Sequence, residues 1–475
     1  MSLPSILDVK PLPSIDTMSI KTEQLEPQTI NDRIATFQLP RTGTLDAGSM
    51  LTVAVTVPTA AVGKAFFPLV TGANSIIKSA TLKVGNKVVA QNDNYAHHRT
   101  MMRQFQTPDH RAFIGQIREG SSGDRVAVTG SGRIAFRDLA TTLGASEDLD
   151  AASVPKHIKP TDSDATTPVF SLALSDLIPM MKSRQLPLFA IKDHVYLELE
   201  FHSSSDIVCK EDSLADFPAV SISKPNVKFI YDGLYYSEGQ EQAVLSAAQS
   251  KEGLSFLYED LITTIASVPS PGTITQKTDQ VLERELALSG KQVRSIFVQE
   301  STLNGNNILG NFVSGGRNIP SSINYLINDQ RVYDRDIDSV TQKYEELSIA
   351  AGRPLMVPSQ LYSYDADTDK ASATEAPSQN SVYIGKIEGH QCPAADNTDK
   401  FSETDLRATS SYEGLDLTKD GLNRLGNSTL IGVKPIRLLR TYHRTPEDDR
   451  PFTIRAFASV EKVMVIRNGE VMVSA

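Results

Sequence analysis

The chain spells one unit twice, two short strands joined by a two-residue turn and followed by a helix. This repetition limits the possible folds more than any other feature. Residues 75–102 read "SIIKSATLKVGNKVVAQNDNYAHHRTMM" and residues 321–347 read "SSINYLINDQRVYDRDIDSVTQKYEEL". At a shift of 243 positions, Ala80, Leu82, Val84 and Val89 fall on Ile323, Tyr325, Ile327 and Val332, and the turn Gly85-Asn86 falls on Asn328-Asp329. One residue is then lost, and at a shift of 242 Tyr95, His98, Met102 and Phe105 match Ile337, Val340, Tyr344 and Leu347. Both sets follow i, i+3, i+7, i+10, one helix face laid on a sheet. Any two hairpin–helix units share part of this pattern, so the surroundings matter as much as the match.

Those surroundings are short alternating strands. Leu51, Val53, Val55 and Val57 alternate with Thr52, Ala54 and Thr56, and Val195, Leu197, Leu199 and Phe201 alternate with Tyr196, Glu198 and Glu200. A period of two marks a strand with one buried face. Val227, Phe229 and Tyr231 repeat the pattern, and in "VEKVMVIRNGEVMVSA" the pair Asn468-Gly469 supplies a hairpin turn between two apolar runs. Residues 137–168 and the Asp/Ser/Thr/Ala-rich stretch 363–380 read as surface loops. The spacing predicts a duplicated all-β domain of about 200 residues with a helix in a loop.

A chain of 475 residues exceeds one ordinary core, which agrees with duplication. Its net charge of -10 argues against holding nucleic acid phosphates as a main task. The cysteines, Cys209 and Cys392, signal neither a disulfide framework nor a zinc motif and suit a reducing compartment. No apolar run reaches the ~18 residues of a membrane-spanning helix. The N-terminus "MSLPSILDVKPLPSIDTMSIK" lacks a basic start before an apolar core, so the expectation is a soluble, cytosolically made chain without a secretory signal. Asn427 to Thr429 then reads as a chance glycosylation pattern.

Chemistry finds little support. Asp93, His97, His98, Asp109 and His110 are the densest set of metal-ligand types, but adjacent histidines on a helix point about 100° apart rather than forming an i, i+4 chelate. A solvated helix face is the expectation there, with no metal. The glycine-rich "GSSGDRVAVTGSGR" lacks the Lys-Ser/Thr of a phosphate-binding loop, and no G-x-S-x-G elbow occurs. Glu447, Asp448 and Asp449 in "TPEDDR" read as an exposed charged turn. Arg437, Arg440 and Arg444 lie close in sequence and suit either a basic floor facing lipid or genome, or plain strand alternation. No catalytic, cofactor-binding or metal residue is assigned.

Three stretches in order resemble a known family. "NSIIKSATLKVGNKVVAQNDNYAHH", "PVFSLALSDLIPMMKSRQLPLFAIKDHVYLELEF" and "NVKFIYDGLYYSEGQEQAV" resemble the double jelly-roll major capsid proteins of the lineage of adenovirus, tailless membrane-containing phages, virophages, polinton-like viruses and large nucleocytoplasmic DNA viruses. The likeness covers roughly residues 40–245, and virophage and polinton-like proteins are nearest in pattern. Glu238, Gln240 and Glu241 stand without the paired arginines of the large-virus branch. The chain is also short for the family, so its outer loops should be modest.

The resemblance implies two tandem eight-stranded antiparallel jelly rolls with short helices in the loops. The implied division is an extended N-terminal arm over residues 1–35, a first jelly roll over 36–240 and a second over 241–475. It also implies a non-enzymatic structural protein of an icosahedral virion, a homotrimer tiling as a pseudo-hexagon beside penton and minor capsid proteins, with no sequence-specific nucleic acid partner. The proline-rich arm would reach neighbouring capsomers or an internal membrane, so removing residues 2–30 is expected to spare the folded trimer and impair assembly. A rival is a jelly-roll carbohydrate-binding or carbohydrate-active protein, which the absence of tryptophan weakens. A minor or vertex capsid protein is the third reading.

Overall fold

A computed structural model of the chain describes residues 18–54, 65–66, 71–105, 116–119, 169–182, 184–203, 209–210, 227–269, 278–302, 320–351, 412–418, 428–444 and 452–474. The stretches 137–168 and 363–380, the glycine-rich segment, Val55, Val57, Cys392, Asn427 and Glu447 to Asp449 lie outside them.

Eight principal strands build a first lobe: β1 (Met18–Leu25), β2 (Ile34–Gln38), β3 (Met50–Ala54), β4 (Ile77–Val84), β5 (Lys87–Asn92), β6 (Val169–Ala173), β7 (Val195–Phe201) and β8 (Val227–Tyr236). One sheet runs β1-β8-β3-β6 and the other β2-β7-β4-β5, every pair antiparallel. A second lobe follows: β9 (Leu254–Val268), β10 (Thr278–Leu286), β11 (Gln292–Thr302), β12 (Ser322–Ile327), β13 (Gln330–Arg331), β14 (Tyr412–Asp416), β15 (Ile436–Arg444) and β16 (Phe452–Arg467). Its sheets run β9-β16-β11-β14 and β10-β15-β12-β13. Adding eight to each label of the first lobe reproduces the second. The order first-eighth-third-sixth over second-seventh-fourth-fifth is that of a jelly roll, so the chain contains two of like topology.

The alternation read in the sequence supplies the cores. Val195, Leu197, Leu199 and Phe201 are buried and the residues between them half-buried, and Val227, Phe229 and Tyr231 do the same from the opposing sheet. The repeated hairpins are β4-β5 and β12-β13, and each turn uses backbone that side chains seldom adopt. Gly85 has φ +56, and Asn328 and Asp329 have φ +53 and +67, as a two-residue hairpin turn demands. Asn468 and Gly469, at φ +54 and +81, turn β16 into β17 (Glu470–Ser474).

A helix follows each repeated hairpin, α1 (Tyr95–Gln104) in the first lobe and α3 (Val340–Ala350) in the second; α2 (Glu238–Gln249) joins the lobes. Glu238 and Glu241 occupy the first turn of α2, where carboxylates complement the exposed N–H groups. The match of Ile337 to a helix position does not hold. Ile337 precedes α3 and forms a two-way backbone bridge with Ile323, which ties the segment before the helix to β12.

Two boundaries also move. Residues 18–25, assigned from sequence to an extended arm ending at 35, pair over their full length with Phe229–Tyr236 and are the first strand of the first lobe. Ile34–Gln38 crosses the same boundary. The division at 240/241 falls inside α2. Cys209 lies in a two-residue strand beside Phe66, with no cysteine near it among the described residues.

Candidate assembly interface

The lobes meet along strands that serve both. β9 and β16 form an antiparallel ladder of fifteen residue pairs, from Leu254 opposite Ile466 to Val268 opposite Phe452. At one end Val268, Phe452, Ile454, Ala456, Ala458 and Val460 enter the core of the second lobe. At the other end Tyr258, Met464 and Ile466 enter the core of the first, joined by Val471 from β17 and Ala248 from α2. Sliding the lobes past each other would expose both cores, so their relation is fixed at the cost of burial, about 1.5–3 kcal/mol per large apolar side chain.

Polar contacts set the register. The Tyr258 hydroxyl donates to the Val89 carbonyl at 2.5 Å, and the Gln91 N–H donates to Asp260 Oδ1 at 3.1 Å. The contacts advance together along β5 and β9, so these strands run the same way and like ends of the two lobes point in one direction. Lys462 Nζ lies 2.5 Å from Asp260 Oδ2. Burial raises the Asp260 pKa, and Lys462 opposes that rise. Lys87 donates to the Val471 carbonyl at 3.0 Å, and the Arg184 guanidinium donates to the Leu257 carbonyl at 2.9 Å.

Further along, α1 of the first lobe lies on the outer face of the second. Met101 and Phe105 pack with Phe297, Tyr412, Phe457 and Leu347, the Phe105 ring 5.6 Å from Phe297 and 6.2 Å from Tyr412. α3 lies on the same face, close enough to β14 that a Cβ on Gly414 would stand 2.8 Å from Ala350 Cβ and 3.0 Å from Leu347 Cα. Glycine is the residue that fits there.

Helix α1 thereby corrects the expectation of a solvated face. His97 and His98 are buried, the His98 ring sits 5.5 Å from Phe457, and Asp109 and His110 lie outside the described residues. Burial, reinforced by Lys182 and Arg99, lowers the His98 pKa to about 3. A histidine held neutral contributes stability above its ordinary pKa of 6.5 that is lost as pH falls towards the folded value. The expected outcome is a loss of about 2 kcal/mol between pH 6.5 and pH 5, at 1.36 kcal/mol per unit. His98→Gln should flatten that limb in urea unfolding at both pH values, and an equal slope in the variant would assign the acid sensitivity elsewhere.

Each lobe buries an ionic cluster near its helix. In the first, Arg99 Nη2 meets Glu119 Oε1 at 2.6 Å and Asp176 Oδ2 at 3.0 Å, and Arg103 Nη1 meets Glu119 Oε2 at 2.8 Å. Burial pushes Glu119 up, but Arg99 and Arg103 outweigh it and leave its pKa below the usual value. In the second, Arg440 Nη2 lies 2.5 Å from Glu413 Oε2 and Nε 3.7 Å from Glu300 Oε1, which also accepts from the Tyr442 hydroxyl at 2.6 Å. Lys343 on α3 donates to the carbonyls of Pro320 and Ser321 at 2.6 and 3.2 Å. Burial raises Glu300, with Glu413 adding to the rise, and burial likewise raises Glu413.

The three arginines of β15 therefore form no basic floor. Arg440 is buried in this cluster, whereas Arg437 is half-buried and pairs with Glu283 and Asp329. A separation of three residues puts the two on opposite faces of a strand. The Arg444 side chain lies outside the description.

Comparison with known proteins adds the fold. No family model matches the sequence, and no curated protein matches it. Among solved structures, a chain of the Sputnik virophage matches with TM-score 0.57 at 11% identity, covering 100% of this chain and 92% of that one. The mavirus major capsid protein matches with TM-score 0.52 at 11% identity, covering 100% and 95%. The Faustovirus major capsid protein matches with TM-score 0.52 at 7% identity, covering 95% and 91%. The chain has the double jelly-roll fold of these proteins along nearly its whole length.

Proposed function

We propose that this chain is a viral major capsid protein whose task is mechanical. Three copies associate into a pseudo-hexagonal capsomer, and capsomers tile an icosahedral shell. The observation that carries the reading is the pair of like-topology lobes locked side by side with their strands running the same way. Such a block presents two nearly equivalent sectors, and three blocks make six. Buried charges here hold helices and strands together, which suits a structural part better than a catalyst.

Within this reading the location is the virion, assembled inside a host cell. Its partners are neighbouring capsomers, penton and minor capsid proteins. The segment before residue 18 is the contact to those proteins or to an internal membrane, leaving residues 18–240 and 241–475 as the two jelly rolls. Native mass spectrometry of the purified chain tests the proposal. A stable trimer is expected, a pentamer would favour a vertex protein, and a monomer or dimer would contradict the capsomer.

A further inference from the structure

The contact between the lobes is head to tail. The first lobe presents its fifth-strand edge, β5 with α1; the second receives it on its first-strand edge, β9, and on the outer face of β16, β11 and β14. Each lobe has both kinds of surface, so the chain uses one of each and leaves one of each over.

What is left over is apolar and exposed. Val332 follows β13 and stands where Val89 stands in the first lobe; Val89 is 0% exposed against the second lobe, and Val332 is 37% exposed. On α3, Ile349 is 41% exposed. On the other unused surface, Ile20 of β1 is 62% exposed and Val169 of β6 58%. Register places both on the outer face of their sheet, where Met50 and Ile230 are only half-buried. The matching face of the second lobe is buried under α1 and α3 at Phe297, Tyr412 and Phe457. Charge agrees with the fit. The exposed residues around β13 and α3 include Asp334, Asp338 and Glu345 with Arg335, and the outer face of the first lobe carries Lys228.

We infer that the β13–α3 surface of the second lobe docks against β1 and the outer face of the first lobe of a second copy, repeating between chains the contact that joins the lobes within one. A heterologous contact closes into a ring when its rotation divides a full turn, and a relation repeated over six lobes closes after three chains. The inference rests on the capsomer reading and names the surfaces it uses.

The test compares four full-length proteins by native mass spectrometry: wild type, Val332→Asp, Ile20→Asp and the control Val281→Asp. Val281 is also exposed, at 65%, but lies on β10 away from both surfaces. Wild type and V281D are expected as trimers; V332D and I20D are expected as monomers with unchanged circular dichroism. Mixed in equal amounts, V332D and I20D retain one intact pair of surfaces and should form a heterodimer. A trimer of either variant, or no heterodimer in the mixture, would overturn the inference while a trimeric wild type kept the capsomer reading. A wild type that is not trimeric would overturn both. Should V332D misfold, Ile349→Asp carries the same expectation.

Discussion

Replacing Arg440 with methionine is expected to destabilise the protein by about 3–5 kcal/mol, the cost of breaking a buried ion pair from one side. Arg440 is buried and is the cation against both Glu413 and Glu300. Without it, two carboxyl groups in one dry site must hold protons or separate. Equilibrium urea unfolding measures the loss. Lys78→Met, which removes an exposed pair with Glu200, should change stability by less than about 1 kcal/mol. If the two substitutions cost the same, the cluster around Arg440 is open to water and its charges are screened.

The same cluster sets an alkaline limb. Burial raises Glu300 and Glu413, so each is protonated more readily in the folded state than in the unfolded one. Stability from this source is complete below the ordinary carboxylate pKa and is lost as pH rises through the raised values. Glu300→Gln, which mimics the protonated form, should flatten that decline.

The second large effect concerns the N-terminus. Removal of residues 2–17 should leave a folded chain, and removal of residues 2–30 should yield aggregated or unfolded protein. The longer deletion strips β1 from β8, a ladder of eight residues, and takes away Leu25 and Ile30, which pack against the first core. Their partial burial contributes about 1–2 kcal/mol each. An edge opened along β8 would also template association with other chains. Size-exclusion chromatography and circular dichroism of both deletions decide this. A soluble, folded trimer lacking residues 2–30 would restore the arm that the sequence suggests.

That strand was hidden for a physical reason. "MSIKTEQL" has no period of two because Ser19 to Gln24 are exposed on both faces, and its stability comes from backbone pairing with β8. By contrast β7 and β8 were legible because each buries one face. The two hairpins could be aligned because their turns need glycine, asparagine or aspartate at positive φ. The interface was less visible. His98 and Arg440 are polar residues in buried positions, and no local pattern tells a buried charge with a distant partner from a solvated one. Nor does sequence alone reveal that β9 and β16 give one end to each core, since the residues they meet are some 170 to 375 positions away, as with Val89 opposite Tyr258 and Lys87 beneath Val471.

Electron microscopy of the purified, unmodified oligomer addresses the capsomer most directly. Class averages viewed down the symmetry axis should show six lobes in a ring with threefold symmetry, alternating between the two kinds of jelly roll. Isolated two-lobed particles, or dimers related by a twofold axis, would contradict it.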